Sequence, residues 1–442
     1  MPSLPFLRTH LMAPAFGSAL LIVLAASGAV RAQSLNDYGS IYSRFGVGER
    51  VSFSSSMSEA MGGAGVALRT PFYTGLGNPA LWADLSYTDF AAAAFVRGIQ
   101  TTDATDATSR TTGGGIGALG LGLPLVRGRL GLTFAFRPYS QVNYRATEEG
   151  TFSPDEGDDV AFTSNLEGGG GLHQLTAGLG GRLTPGLRLG ASADAFFGTI
   201  EYVQRTEFAD AAYDETRTAR STHLTGLTGT LGAVLTKGGL FRDGDGLHVG
   251  AAVTLPVRLS GERVQTVGTS LDRDTLTVAA DGRVTLPLSA RFGVAYSGAE
   301  RWTWAADVTY EPWSAFESDF PFGGFDPAEG RDDLRDRLRA ATGFQVLPAG
   351  DERTAGYFAR TAYRFGGYAE RALYAPGGAD VMTYALTAGL SLPTMFSTAR
   401  LDLGLEAGSR GSAGDVLVRD LFIRGTATLN FGERWFVRRR LD

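Results

Sequence analysis

The residues that could carry chemistry are few and scattered. The chain has four histidines and no cysteine, which excludes thiolate metal sites, cysteine nucleophiles and disulfides together. His173, His223 and His248 fall in three separate alternating segments, with neither metal-ligand spacing nor a neighbouring nucleophile, and each reads as a polar lumen or interface residue. Asp243-Gly244-Asp245-Gly246 has the rhythm of a calcium loop but lacks its remaining ligand positions, so it reads as a tight turn. The acidic run Asp155-Glu156-Gly157-Asp158-Asp159 reads as a solvated loop. Gly62-Gly63-Ala64-Gly65 neither follows a strand nor opens a helix, so it is no phosphate cradle. These patterns point away from an enzyme and imply neither a metal nor a cofactor.

The bulk composition narrows the class. The net charge is −6 and the basic residues are spread along the chain without a block, which argues against nucleic acid as a partner. Arg8 and His10 precede an apolar run from Leu11 to Ala26, and Val30-Arg31-Ala32 follows. This is the pattern of a signal peptide, residues 1–32, cleaved after Ala32. The run is shorter than the roughly 20 apolar residues of a membrane helix and holds Pro14 and Gly17. No later stretch is apolar enough to span a membrane as a helix.

From Tyr87 onward the hydrophobic period is 2. Trp302, Trp304, Ala306, Val308 and Tyr310 alternate with Thr303, Ala305, Asp307, Thr309 and Glu311, and similar runs recur to Phe431. The second face is Gly, Ala, Ser and Thr with scattered charges, which is the pattern of a barrel that is apolar outside and polar inside. Lipid offers no hydrogen-bond partner, so such a sheet must close on itself. The expected fold is all-β: a closed antiparallel transmembrane β-barrel of about 14 strands over residues 85–442, with an N-terminal lumenal hatch over residues 33–84. Connections alternate between short and long, which puts both termini in the periplasm of a bacterial outer membrane.

Several residues stand out within this frame. Pro138 in the third strand has no N–H to give a neighbour, so the ladder breaks there. It is a candidate lateral opening, although an ordinary bulge is the competing reading and Pro256 and Pro287 have the same claim. Asn78-Pro79-Ala80 reads as a rigid turn capped by the Asn78 side chain. Phe316, Phe320, Phe322 and Phe325 make one long loop unusually apolar and are a candidate substrate-capture surface. Tyr310, Trp313, Tyr363 and Phe365 read as an interfacial girdle. Arg137, Arg188, Asp194, Arg258, Arg291, Asp307, Arg360, Arg364, Asp402, Glu406 and Arg424 fall on the inward parity and should pair with one another and with the hatch.

Tyr42-Ser43-Arg44-Phe45-Gly46, Met61-Gly62-Gly63-Ala64-Gly65-Val66-Ala67 and Asn78-Pro79-Ala80 resemble the hatch of the FadL/TodX family of outer-membrane fatty acid and hydrocarbon transporters. The C-terminal stretch from Gly404 to Arg439 resembles a branch of the same family. The resemblance implies a monomeric barrel of fourteen strands that sits in outer-membrane lipid and takes up long-chain fatty acids or similar apolar small molecules. It also implies lateral release beside an inward-kinked third strand. PorV-type relatives are secretion shuttles, so a barrel acting as a protein-interaction partner is the alternative.

Overall fold

The alternation that begins near Tyr87 closes into a barrel because every strand needs a partner on both edges once it lies in lipid. The computed structural model describes residues 39–433 except 72, 155–157, 241, 270–272, 276–279, 299–300, 351, 353, 395–398 and 415–417. Its wall has fourteen antiparallel strands among the described residues. They are β1 (Thr88–Thr102), β2 (Thr108–Val126), β3 (Leu130–Pro138, resuming as Tyr144–Phe152), β4 (Val160–Thr184) and β5 (Leu187–Phe208). Next come β6 (Thr216–Gly238), β7 (Gly246–Thr254, resuming as Val257–Gly268), β8 (Ala280–Leu286, resuming as Ser289–Gly298) and β9 (Trp302–Glu311). The last are β10 (Arg337–Val346), β11 (Ala362–Arg371), β12 (Met382–Pro393), β13 (Ala399–Arg410) and β14 (Arg419–Glu433). β14 pairs with β1 from Thr88↔Glu433 to Thr102↔Arg419 and closes the ring.

Large apolar side chains cover the outside: Val96, Leu227 and Leu386 are 68%, 70% and 75% exposed. Asp89, Asp194, Arg364 and Asp402, also on wall strands, turn inward and are buried. β9, β10 and β11 have 10 residues each, close to the minimum of about 9–11 that crosses a bilayer. β4, β5 and β6 have 25, 22 and 23 and project beyond that thickness at one end. We call this the loop end and the opposite one the turn end.

Two expectations change. Arg360, expected on the inward parity of a strand, lies instead in the 3-10 turn Tyr357–Arg360, and the eleventh strand begins only at Ala362. The parity of β7 reverses at Leu255-Pro256: Val257 and Leu259 are buried and Arg258 is exposed. One extra residue shifts every later side chain to the other face, so Arg258 is not a lumenal charge.

Residues 39–85 do not join the wall; they pack against its inner face. The segment starts at the loop end, where the Gly39 N–H donates to Asn143 O (2.8 Å), and finishes at the turn end, where Leu85 O accepts from the Gly128 N–H (3.0 Å). Wall glycines make room for it. A Cβ at Gly180 or Gly190 would collide with the backbone of Pro79, one at Gly250 with Val66, and one at Gly343 or Gly366 with Met61. Gly39 and Glu433 therefore lie at opposite ends of the barrel. The expected signal peptide and the expected periplasmic placement of both termini fall on residues outside those described.

Candidate functional site

At Pro138 the third strand parts from β2 while staying tied to β4, with the Tyr139 N–H donating to Leu172 O (2.7 Å) and the Val142 N–H to Gly170 O (2.9 Å). β3 pairs with β2 only between Leu119↔Phe136 and Val126↔Leu130, whereas Tyr144–Phe152 pairs with β4. Residues 108–118 of β2 thus have no ladder partner on the β3 side among the described residues. Between the two halves of β3, Ser140–Gln141 turn inward and form a short antiparallel ladder with Glu49–Arg50 of the inner segment. β4 accommodates the bend through residues 168–171, all glycine. Gly170 and Gly171 have φ of 91° and 141°, and a Cβ on Gly171 would strike Ser140 O, so only glycine fits. The lip of the resulting gap on β2 is Gly113-Gly114-Gly115-Ile116-Gly117, almost without side chains.

Arg50 anchors the inward turn. Its Nη1 donates to Tyr139 O (2.6 Å), its guanidinium lies 3.4 Å from the centre of the Tyr139 ring, and its Nη2 pairs with Glu311 on β9 (3.1 Å). The Pro256 and Pro287 breaks behave differently. Thr254↔Ser289 and Val257↔Leu286 keep β7 and β8 in register across both, and β6 rejoins through Leu255 N–H to Gly229 O (3.0 Å). The wall stays shut there.

The inner segment is seated by polar contacts spread round the wall. Asn78 is fully buried. Its Oδ1 accepts from Ala80 N and caps the 3-10 helix Pro79–Asp84, and its Nδ2 donates to Val66 O (2.9 Å), with longer contacts to Ala233 O and Ala251 O (3.2 and 3.3 Å). Asp84 pairs with Arg69 (2.6 Å) and with Arg188 of β5 (2.8 Å); burial opposes ionisation, but the two guanidinium groups hold its carboxyl below the usual range. Asp307 of β9 accepts from the Gly65 and Val66 N–H groups. Gly62 sits at φ 74° against the carbonyls of Gly367 and Thr342, and its own carbonyl oxygen accepts from Arg339 Nη2 (3.1 Å).

Two acidic residues of the segment have opposite environments. Burial would push Glu49 up, yet Arg410 and Arg97 hold it well below the carboxylate range. Glu59 is pushed up to about 7: burial dominates, Arg424 opposes it only at 3.6 Å, and Glu406 competes for the same arginine at 3.4 Å.

Two cavities flank the strand around Glu49–Arg50, of about 100 and 90 Å³, and each has several charged side chains among apolar and small polar ones in its lining. Tyr42, Phe45, Trp313, Phe316, Phe320, Phe322 and Tyr374 are buried in one apolar cluster with Val257, Leu259, Val284 and Leu286. Phe325 is half-buried against it, with its ring centre 5.1 Å from that of Phe316. The aromatic loop is therefore folded inward over the segment. Trp313, expected in the girdle, is 1% exposed, because the chain turns in after Pro312 and its Nε1 donates to Glu311. Tyr310 and Phe365 do face outward, 40% and 59% exposed.

Sequence reasoning missed Arg50, Tyr139, Glu59 and the glycines at 170–171. The four-glycine run was the visible signal, but its partner across the kink was not. His173, His223 and His248 remain apart, and no cluster fit to hold a metal occurs among the described residues.

A family model described as BamG matches residues 17–442. The chain belongs to the BamG family. No curated protein matches it by sequence. The toluene transporter TodX of P. putida shares the fold at 15% identity, covering 88% of this chain and 100% of its own, with a TM-score of 0.56. A FadL homologue of Pseudomonas aeruginosa is similar at 12% identity (87% and 99% covered, TM-score 0.55). The toluene transporter TbuX of Ralstonia pickettii is similar at 14% identity (87% and 99%, TM-score 0.53). The resemblance to FadL and TodX thus holds at the level of the fold, while the family model that matches bears another name.

Proposed function

We propose that this barrel passes hydrophobic small molecules across the bacterial outer membrane and releases them sideways into the bilayer through the gap between β2 and β3. The observation that carries the reading is the departure of β3 from β2 at Pro138, opposite a glycine lip on β2. A sheet edge left open in lipid is costly, so an opening held by Pro138, Arg50 and a glycine-only bend in β4 has a use that offsets it. In this reading residues 1–32 are removed on export, residues 33–84 act as the hatch and residues 85–442 form the barrel. Asn78, Pro79, Ala80, Gly62, Gly63 and Gly65 hold the hatch in its seat. Phe316, Phe320, Phe322 and Phe325 make the first contact with an apolar solute when the loop lifts. The fold shared with a toluene transporter and a FadL homologue supports the same substrate class.

A second reading is a barrel that serves as a protein-interaction partner. It is favoured by the lumen, where the apolar cluster is buried and both cavities carry charged side chains in their lining. Uptake of labelled long-chain fatty acid and of toluene, in cells lacking their own outer-membrane transporter, separates the two. Protein-dependent uptake supports transport. Background uptake by a folded, inserted barrel would leave the partner reading.

A further inference from the structure

The cavity of about 90 Å³ lies behind both proline breaks and against the inner segment. Five arginines line it, namely Arg50, Arg137, Arg291, Arg337 and Arg339, against two carboxylates, Asp307 and Glu311. Three of the five are compensated: Arg50 and Arg337 pair with Glu311, and Arg337 and Arg339 with Glu370 behind them.

Arg137 and Arg291 are not. Among the described residues neither has a carboxylate within ion-pair distance. Arg137 donates to the Gln174 Oε1 and Phe53 carbonyl oxygens (3.1 and 2.7 Å). Arg291 donates to Thr254 Oγ1 (3.1 Å), and its Nε is buried with no hydrogen-bond partner. The nearby Asp194 is already taken up by Gln174, Thr176 and Thr230. Asp307 is turned to the Gly65 and Val66 N–H groups. Two partly buried guanidinium groups that face one space and have no ion-paired carboxylate are unfavourable unless a negative group fills it, and their planar donors match the oxygens of a carboxylate or phosphate.

We propose that this cavity is a binding site for a single small oxyanion, a carboxylate or phosphate group, held by Arg137 and Arg291. The site does not depend on the transport reading. Such a group can arrive as the head of an amphiphile or as a free ion, and the chemistry is the same.

The test uses the full-length protein in detergent, with thermal unfolding followed against inorganic phosphate, octanoate and uncharged octanol at ionic strength matched with chloride. The melting temperature should rise with phosphate, with octanoate or with both, and not with octanol. Octanoate alone would identify an amphiphile head, and phosphate alone a free ion. Arg291→Gln should weaken the effect at least about tenfold, since charge-assisted hydrogen bonds are lost, while remaining folded because it removes an uncompensated charge. Arg137→Gln is the second variant. No shift with any anion in the wild type, or an equal shift in both variants, overturns the proposal. Anion binding without uptake would sink only the transport reading, and uptake without anion binding only this one.

Discussion

Proline interrupts the wall at Pro138 and again at the facing Pro256 and Pro287, with opposite results. At Pro138 the strand turns inward, pairs with the inner segment and leaves residues 108–118 of β2 without a neighbour on that side. At Pro256 and Pro287 two bulges sit side by side, β7 and β8 stay in register, and only the side-chain parity changes. A missing N–H is common to both, so proline alone does not open a barrel. What differs is what receives the displaced backbone. Ser140 and Gln141 have Glu49–Arg50 to pair with and Gly170–Gly171 to bend against, whereas Pro256 and Pro287 have only each other's strands.

The contrast is sharpened most strongly by adding bulk at the two breaks. Gly115 on the open lip has only the Phe95 ring near its Cβ position, 3.6 Å away, so Gly115→Trp is tolerated and narrows the gap. Uptake of an apolar solute should fall by about tenfold or more, whereas Leu255→Trp, at an exposed outward position, should leave it unchanged. Equal loss in both variants would show that the gap has no special part.

Removing the anchor is the next largest effect. Arg50→Met takes away the Tyr139 carbonyl contact and half of the Glu311 pairing, and should destabilise the folded barrel by about 3 kcal/mol, measured by denaturant unfolding. It should also make residues near Tyr139 accessible to protease. A loss within error would mean that the inward turn stands without the inner segment.

Glu59 gives a pH signature. Its folded value of about 7 lies above the ordinary 4.5, so the folded chain disfavours the ionised form. Its seat is strongest at acidic pH and weakens as pH rises from about 4.5 through about 7. Glu59→Gln should remove this slope and raise stability at pH 8 by about 2 kcal/mol. Glu49 acts in the opposite sense: held low by Arg410 and Arg97, it contributes stability above the carboxylate range that is lost as pH falls. A Glu59→Gln variant with the wild-type pH slope would contradict the assignment.

The smallest effect is expected from Pro138→Ala. The inward turn retains Arg50 and the glycine bend, so uptake should drop only a few-fold, and Pro256→Ala should do nothing measurable. Abolished uptake in Pro138→Ala would place the whole opening on the proline.

The wall was legible because lipid enforces it: period 2 in Trp302–Glu311, polar residues on one parity and closure follow from one physical constraint. Asn78-Pro79-Ala80 was legible as a capped turn because its chemistry is local. The inward turn of β3 was only half legible. Pro138 marked a break, but its outcome depends on Arg50, 89 residues away in sequence from Tyr139 and 261 from Glu311. Likewise Phe316, Phe320 and Phe322 look alike in sequence whether they form an open groove or fill a lumen. The parity of Val257 and Arg258 could not be followed past Pro256, because a bulge inserts one residue without a compositional mark.

The central claim is that the gap between β2 and β3 is the exit. The most direct measurement is uptake of labelled fatty acid and toluene by transporter-deficient cells carrying equal amounts of inserted wild-type barrel or Gly115→Trp. The account predicts protein-dependent uptake in the first and near-background uptake in the second. Equal uptake by both, or none by the wild type, would contradict it.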